Sequence, residues 1–97
     1  MNKDDTFLTN PKVFEEKANI LKALAHPVRL CIVKGLIDND GSNVTNMQSC
    51  LNMPQSTISQ HIAKLKAFGI IDWQRNGLEI IYSVSDEKIK ELIEVLF

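Results

Sequence analysis

Apolar side chains recur at spacings of three and four along most of this chain, and switch to a strand-like rhythm only between residues 70 and 84. The first helical stretch opens at Asn10, a residue type suited to capping, with Pro11 at the first helical position and Glu15 and Glu16 in the early turns. Val13, Phe14, Ala18, Ile20, Leu21 and Leu24 carry it to Ala25, and Pro27 breaks and restarts the helix. A second helix over 27–38 has Val28, Leu30, Ile32, Val33, Leu36 and Ile37 on more than one side, which predicts burial against several neighbours. Residues 38–42 (Asp-Asn-Asp-Gly-Ser) form a turn by composition. A short third helix over 44–51 presents Val44, Met47 and Leu51, followed by a turn at Asn52-Met53-Pro54. The fourth helix covers 55–68, with Gly69 as its C-terminal stop.

Beyond Gly69, residues 70–75 and 78–84 flank Asn76-Gly77, the strongest short-range signal for a hairpin closed by a two-residue type I′ turn. The last helix starts at Asp86, with Ser85 as N-cap and Asp86 and Glu87 complementing the helix dipole. Its stripe Ile89, Leu92, Ile93 and Leu96 must be covered, and on so small a domain a second subunit is the natural cover. The order helix, helix, helix, helix, hairpin, helix predicts a mainly α fold, a winged helix-turn-helix with an extra helix at each end. At 97 residues it is one domain, 1–97, in which the polar residues 1–9 fray.

The fourth helix carries the candidate chemistry. At 100° per residue Ile58, Ile62 and Leu65 share one side and face a core, while Ser56, Gln60 and Ala63 lie opposite, with Thr57, Ser59 and Lys64 toward the edges. Solvated helix faces are normally built from Glu, Lys and Arg; this one uses hydroxyls and amides, which stabilise a helix poorly but suit base edges and phosphates. Gln60 can pair bidentately with adenine, Gln55, Ser56, Thr57 and Ser59 can reach bases or phosphates, and Lys64 can neutralise a phosphate. His61 lies beside the core stripe, where a hydrogen-bonded structural role competes with DNA contact. Arg75 and Asn76 at the hairpin tip suit phosphate or minor-groove contact.

Charge qualifies this reading. The net charge of −1 is unusual for a DNA-binding domain, whose affinity leans on phosphate contacts. Residues 11–34 nevertheless carry a net +3 and residues 55–85 a net +1, the acids collecting at Asp4, Asp5, Asp38, Asp40 and in the last helix. No apolar run approaches the length of a membrane span and the N-terminus lacks a signal-peptide core, so an intracellular, cytoplasmic protein is expected, with Cys31 and Cys50 as free thiols. An enzyme finds no support: Gly35, Gly41, Gly69 and Gly77 are isolated, no Ser-His-acid or metal-protease pattern occurs, and no cofactor is implied.

The run Leu-Lys-Ala-Leu-Ala-His-Pro-Val-Arg-Leu-Cys-Ile-Val at 21–33, the stretch 53–65, and Arg-Asn-Gly-Leu-Glu-Ile-Ile-Tyr at 75–82 together resemble the ArsR/SmtB family of bacterial winged-helix repressors. The resemblance covers residues 13–96. It implies a homodimer built by the first and last helices, an inverted-repeat operator in double-stranded DNA, the fourth helix in the major groove and hairpin 70–84 as the wing. Ser56, Ser59, Gln60 and the wing around Arg75 match its DNA-contacting positions. The metal ligands of the family do not carry over. Asn43 and Thr45 stand where a Cys-x-Cys pair would be, Lys88 replaces a His two residues after Asp86, and the chain stops at Phe97 before a second pair. Metal response through the usual sites is therefore not expected.

Two alternatives stand beside a metal-independent repressor. One is thiol-redox control through Cys31 and Cys50, on helices taken to pack together, against which stands their use as ordinary small side chains. Their positions differ from the cysteine pair of persulfide-sensing members, and a His26, Cys31 and Cys50 metal site is disfavoured because residues i and i+5 leave one helix face. The other alternative is a winged-helix module that binds protein.

Overall fold

Each of the three prolines stands at a helix start, where a missing N–H costs nothing. In the computed structural model, which describes residues 5–97, Pro11 and Pro27 are the first residues of α1 (Pro11–Leu24) and α2 (Pro27–Asp38), and Pro54 immediately precedes α4 (Gln55–Ala67). The remaining elements are α3 (Val44–Leu51), β1 (Asp72–Asn76), β2 (Glu79–Ser83) and α5 (Glu87–Leu96). The order is that of a winged helix-turn-helix, as the hydrophobic pattern predicts. Residues 1–4, part of the stretch expected to fray, lie outside the described residues. Thr6 and Thr9 exchange hydroxyl and backbone hydrogen bonds in a turn before α1.

Side chains cap α2, α3 and α5. His26 Nδ1 accepts from the Val28 N–H at 3.1 Å and Asn43 Oδ1 from the Asn46 N–H at 2.8 Å. Asp86, not Ser85, caps α5: its carboxylate accepts from the Lys88 N–H at 2.8 Å, while the Ser85 hydroxyl donates to the Asp72 carboxylate. Asn10 holds the position before α1 without a side-chain cap bond. The α4 stop is as expected: the Gly69 N–H reaches Lys66 O and the Ile70 N–H reaches Leu65 O, each at 3.0 Å, a Schellman closure with its apolar C3–C″ pair buried.

The hairpin differs from expectation by one residue. Asn76 pairs with Glu79, so the two-residue loop is Gly77-Leu78 and Asn76 ends the β1 ladder. Gly77 has φ +68° and Leu78 has no positive φ, which is the type II′ pattern, with glycine first, rather than type I′. The observed register sets Trp73 opposite Tyr82 and Arg75 opposite Ile80, cross-strand contacts that an Asn76-Gly77 turn would have shifted by two positions. Ser42 adds a short third edge, its N–H and C=O both bonded to Tyr82 at 2.9 and 2.8 Å.

The core lies between α2, α4 and the hairpin base, around Val33, Leu36, Ile58, Leu65 and Ile70, with Ile32, Ile62, Ile89 and Ile93 joining it. The broad apolar surface of α2 is used as predicted: Ile32, Val33 and Leu36 are buried, and Val28, Leu30 and Ile37 pack partly buried against them. The α5 stripe splits, since Ile89 and Ile93 are buried within the domain, Leu92 is half-buried and Leu96 exposed. α1 buries only Ala23 and Leu24; Phe14 and Leu21 are exposed, as are Val95, Leu96 and Phe97 at the other end of the chain. Among the described residues no helix is long and apolar enough to cross a membrane.

Candidate nucleic-acid interface

Two helices and a left-handed corner build the candidate reading surface. α3 ends at Asn52, whose φ of +53° turns the chain sharply, and the carbonyl of Pro54 then accepts from Thr57 and Ile58 to start α4. α4 is held from beneath by Ile58 (0% exposed), Ile62 (3%) and Leu65 (0%). On its other side Gln55, Ser56, Ser59, Gln60, Ala63 and Lys64 are exposed, and Thr57 is half-buried at the margin. None of the polar side chains in that row forms a hydrogen bond within the described protein, so their donors and acceptors are uncommitted.

His61 is turned elsewhere. Its half-buried ring lies 4.7 Å from the ring of His26, inclined at 54°, so the start of α2 meets the middle of α4 through a tilted ring contact. Burial, then the nearby His26 and Arg29, hold its pKa below the usual histidine value. The Arg29 Nε beside this pair is buried without a partner among the described residues.

Arg75 and Asn76 are exposed on the last two positions of β1, not at the tip, which is Gly77 with the fully exposed Leu78. By strand alternation Arg75 shares a face with Trp73, and Asn76 lies on the other. Lys66 sits 4.9 Å above the Trp73 ring, linking the last turn of α4 to the wing. Near the outer end of the wing Asn43 Nδ2 donates to Glu79 Oε1 at 2.5 Å. Two of these arrangements escape sequence reading altogether, the His26 cap and the Asn43–Glu79 bond. An Asn immediately before an apolar helical run is the local signal that marks Asn43 as a cap.

Asn43 is thus engaged and Thr45 is exposed; among the described residues no cluster of three or more His, Cys, Asp or Glu side chains is placed to hold a metal. Cys31 and Cys50 are both free and exposed. The helices that carry them are not closely packed on each other as expected: α3 packs chiefly on α4, and a cavity of about 370 Å³ opens between α2 and α3, lined by Cys31 and Gly35 on one side and Met47 and Cys50 on the other.

A family model described as a helix-turn-helix domain matches residues 24–72. The transcriptional repressor PagR of Bacillus anthracis is 42% identical over 82 residues, 84% of this chain and 82% of that protein. Its crystal structure superposes with a TM-score of 0.81 at 40% identity, covering 88% of this chain and 97% of that one. Reduced HlyU from Vibrio cholerae superposes with a TM-score of 0.82 at 32% identity, covering 91% and 92%. The transcriptional repressor SmtB of Mycobacterium tuberculosis is 32% identical over 84% of this chain and 60% of its own length. The match to the domain model, these relatives and the shared winged fold agree: the chain belongs to the ArsR/SmtB family of helix-turn-helix transcriptional regulators.

Proposed function

We propose that this protein is a cytoplasmic transcriptional repressor that binds an inverted-repeat operator in double-stranded DNA as a homodimer, with α4 in the major groove and the β1–β2 hairpin as wing. The observation that carries it is the exposed row Gln55, Ser56, Ser59, Gln60 and Lys64, free of internal bonds on a helix whose opposite face is fully buried. Thr57 borders that row on α4, His61 acts through the α2–α4 ring contact, and Arg75 and Asn76 stand exposed on the wing. Dimerisation is supported by α1, which buries only its last turn, and by the exposed Phe14, Leu21, Val95, Leu96 and Phe97 on the terminal helices.

Selection of binding sites from random duplexes, followed by gel shifts on the selected sequence, tests the proposal. A palindromic site is expected. Gln60→Ala should weaken specific binding by about 1–3 kcal/mol if the amide pairs with a base. Failure to enrich any sequence, with Gln60→Ala indistinguishable from the parent, would favour the protein-binding module instead.

A thiol-dependent release of DNA is a second reading, favoured by one observation: both free cysteines face the same cavity beside α3. Equal operator affinity of reduced and peroxide-treated protein rules it out.

A further inference from the structure

We infer that Asn43 is a positioning residue for DNA binding: its single carboxamide locks the wing to the helix-turn-helix at a set angle. The inference rests on the DNA-reading role proposed above. Asn43 Oδ1 closes the first turn of α3 by accepting from the Asn46 N–H, while Nδ2 of the same group donates to Glu79 Oε1, 36 residues away. A carboxamide is planar, so the directions of its oxygen and nitrogen are tied to each other. Whatever orients the α3 N-terminus therefore orients Glu79. The acceptor is a carboxylate, which makes the bond shorter and stronger than one between neutral groups.

The position of Glu79 gives this bond its leverage. It is the first residue of β2, directly after the Gly77-Leu78 loop, and it pairs with Asn76 across the ladder. The other attachment of the hairpin to the α2–α3 connection is the Ser42–Tyr82 backbone pair, three residues deeper and about 10 Å from Glu79 along an extended strand. β1 is exposed along its whole length, and a two-stranded hairpin alone is marginally stable in water. With only the deep attachment the outer half could pivot about Tyr82. The Asn43–Glu79 bond supplies a second point near the tip and prevents that pivot. Because α3 packs more extensively on α4 than α2 or α1 does, the bond transmits the position of the reading helix to Arg75 and Asn76.

An exchange of donor and acceptor tests this. Asn43→Asp keeps the oxygen that caps α3 but sets a carboxylate against Glu79. Adding Glu79→Gln restores a donor on the other partner and returns the chain to its original net charge. Operator affinity measured by fluorescence anisotropy should fall about tenfold in Asn43→Asp, the loss of one hydrogen bond to a charged group plus repulsion, and recover to within about threefold in the double variant. Glu79→Gln alone retains an acceptor and should not weaken binding. Amide hydrogen exchange of residues 76–80 should quicken in Asn43→Asp and return toward the parent rate in the double variant, while thermal melting changes little. Equal affinity of Asn43→Asp and parent, or no rescue in the double variant, overturns the inference. If the parent binds no DNA, the proposed function fails, and hydrogen exchange alone decides whether the bond holds the wing: unchanged rates in Asn43→Asp overturn it.

Discussion

How much of the affinity for DNA comes from phosphate attraction is a sharp question for a chain with a net charge of −1. On the reading side the exposed cations are Lys64 and Lys66 in the last turn of α4 and Arg75 on β1. Lys34 and Lys90 are paired with Asp38 and Glu87 at 2.6 and 3.3 Å, so they offer less. The proposed dimer would bring about six such cations to DNA, and counterion release would then give a slope of log K against log salt of about −5. Raising KCl from 50 to 200 mM should accordingly weaken binding about a thousandfold. Arg75→Ala removes two of the six per dimer, so the slope should shrink to about −3.5 and the loss over the same range to about a hundredfold. Anisotropy titrations of a labelled operator duplex at four or five salt concentrations measure both slopes. A slope unchanged by Arg75→Ala means the wing touches no phosphate. A parental slope steeper than about −9 means that Lys12, Lys17 and Lys22 of α1 contact DNA as well, and α1 is then not given over to the dimer contact.

Two further outcomes concern stability. Gly41 has φ +109°, and a Cβ there would stand 3.3 Å from both Ile81 Cγ2 and the Tyr82 carbonyl. Gly41→Ala should destabilise by about 2–3 kcal/mol in urea melts, and a cost below about 1 kcal/mol would show that the α2–α3 connection yields freely. For pH, His61 is held below its ordinary pKa by burial and by His26 and Arg29, so between that lowered value and about 6.5 the unfolded chain binds more protons than the folded one. Stability should therefore fall as pH drops through 6.5 toward the lowered pKa and be insensitive to this group above about 7.5. His61→Gln should flatten the melting temperature profile between pH 7.5 and 5.5, and an equally steep profile in that variant refutes the assignment.

What could be read in the chain was whatever depends on near neighbours. The spacing of Ile58, Ile62 and Leu65 separates the buried side of α4 from its exposed polar side because a helix repeats within a few residues, and the structure keeps that division. Proline and glycine mark the helix ends for the same reason. Choices between adjacent candidates were decided by partners far along the chain. Ser85 and Asp86 are both good caps, and Asp72 claims the serine hydroxyl. Asn76-Gly77 and Gly77-Leu78 both make two-residue turns, and the β2 register, set with Ser42 on Tyr82, selects the second. Likewise the periodicity of α5 shows that it has an apolar stripe, but only the packed domain shows that Ile89 and Ile93 are buried while Leu96 remains exposed.

The same distinction separates the chemistry of the interface from its geometry. The amides and hydroxyls of α4 declare themselves by being poor choices for a solvated helix. The groups that aim them do not: His26 and His61 meet across 35 positions, Asn43 and Glu79 across 36, and each of these residues taken alone has an ordinary local use. For the proposed reader of DNA, with its weak overall charge, this matters physically. Phosphate attraction tolerates imprecise placement because it acts at long range, whereas a bidentate amide–base pair works only within a few tenths of an ångström and about 30°. A near-neutral domain must therefore hold its reading residues rigidly. The pairing of α2 with α4 and of α3 with the wing by specific side-chain contacts is the form that rigidity takes here.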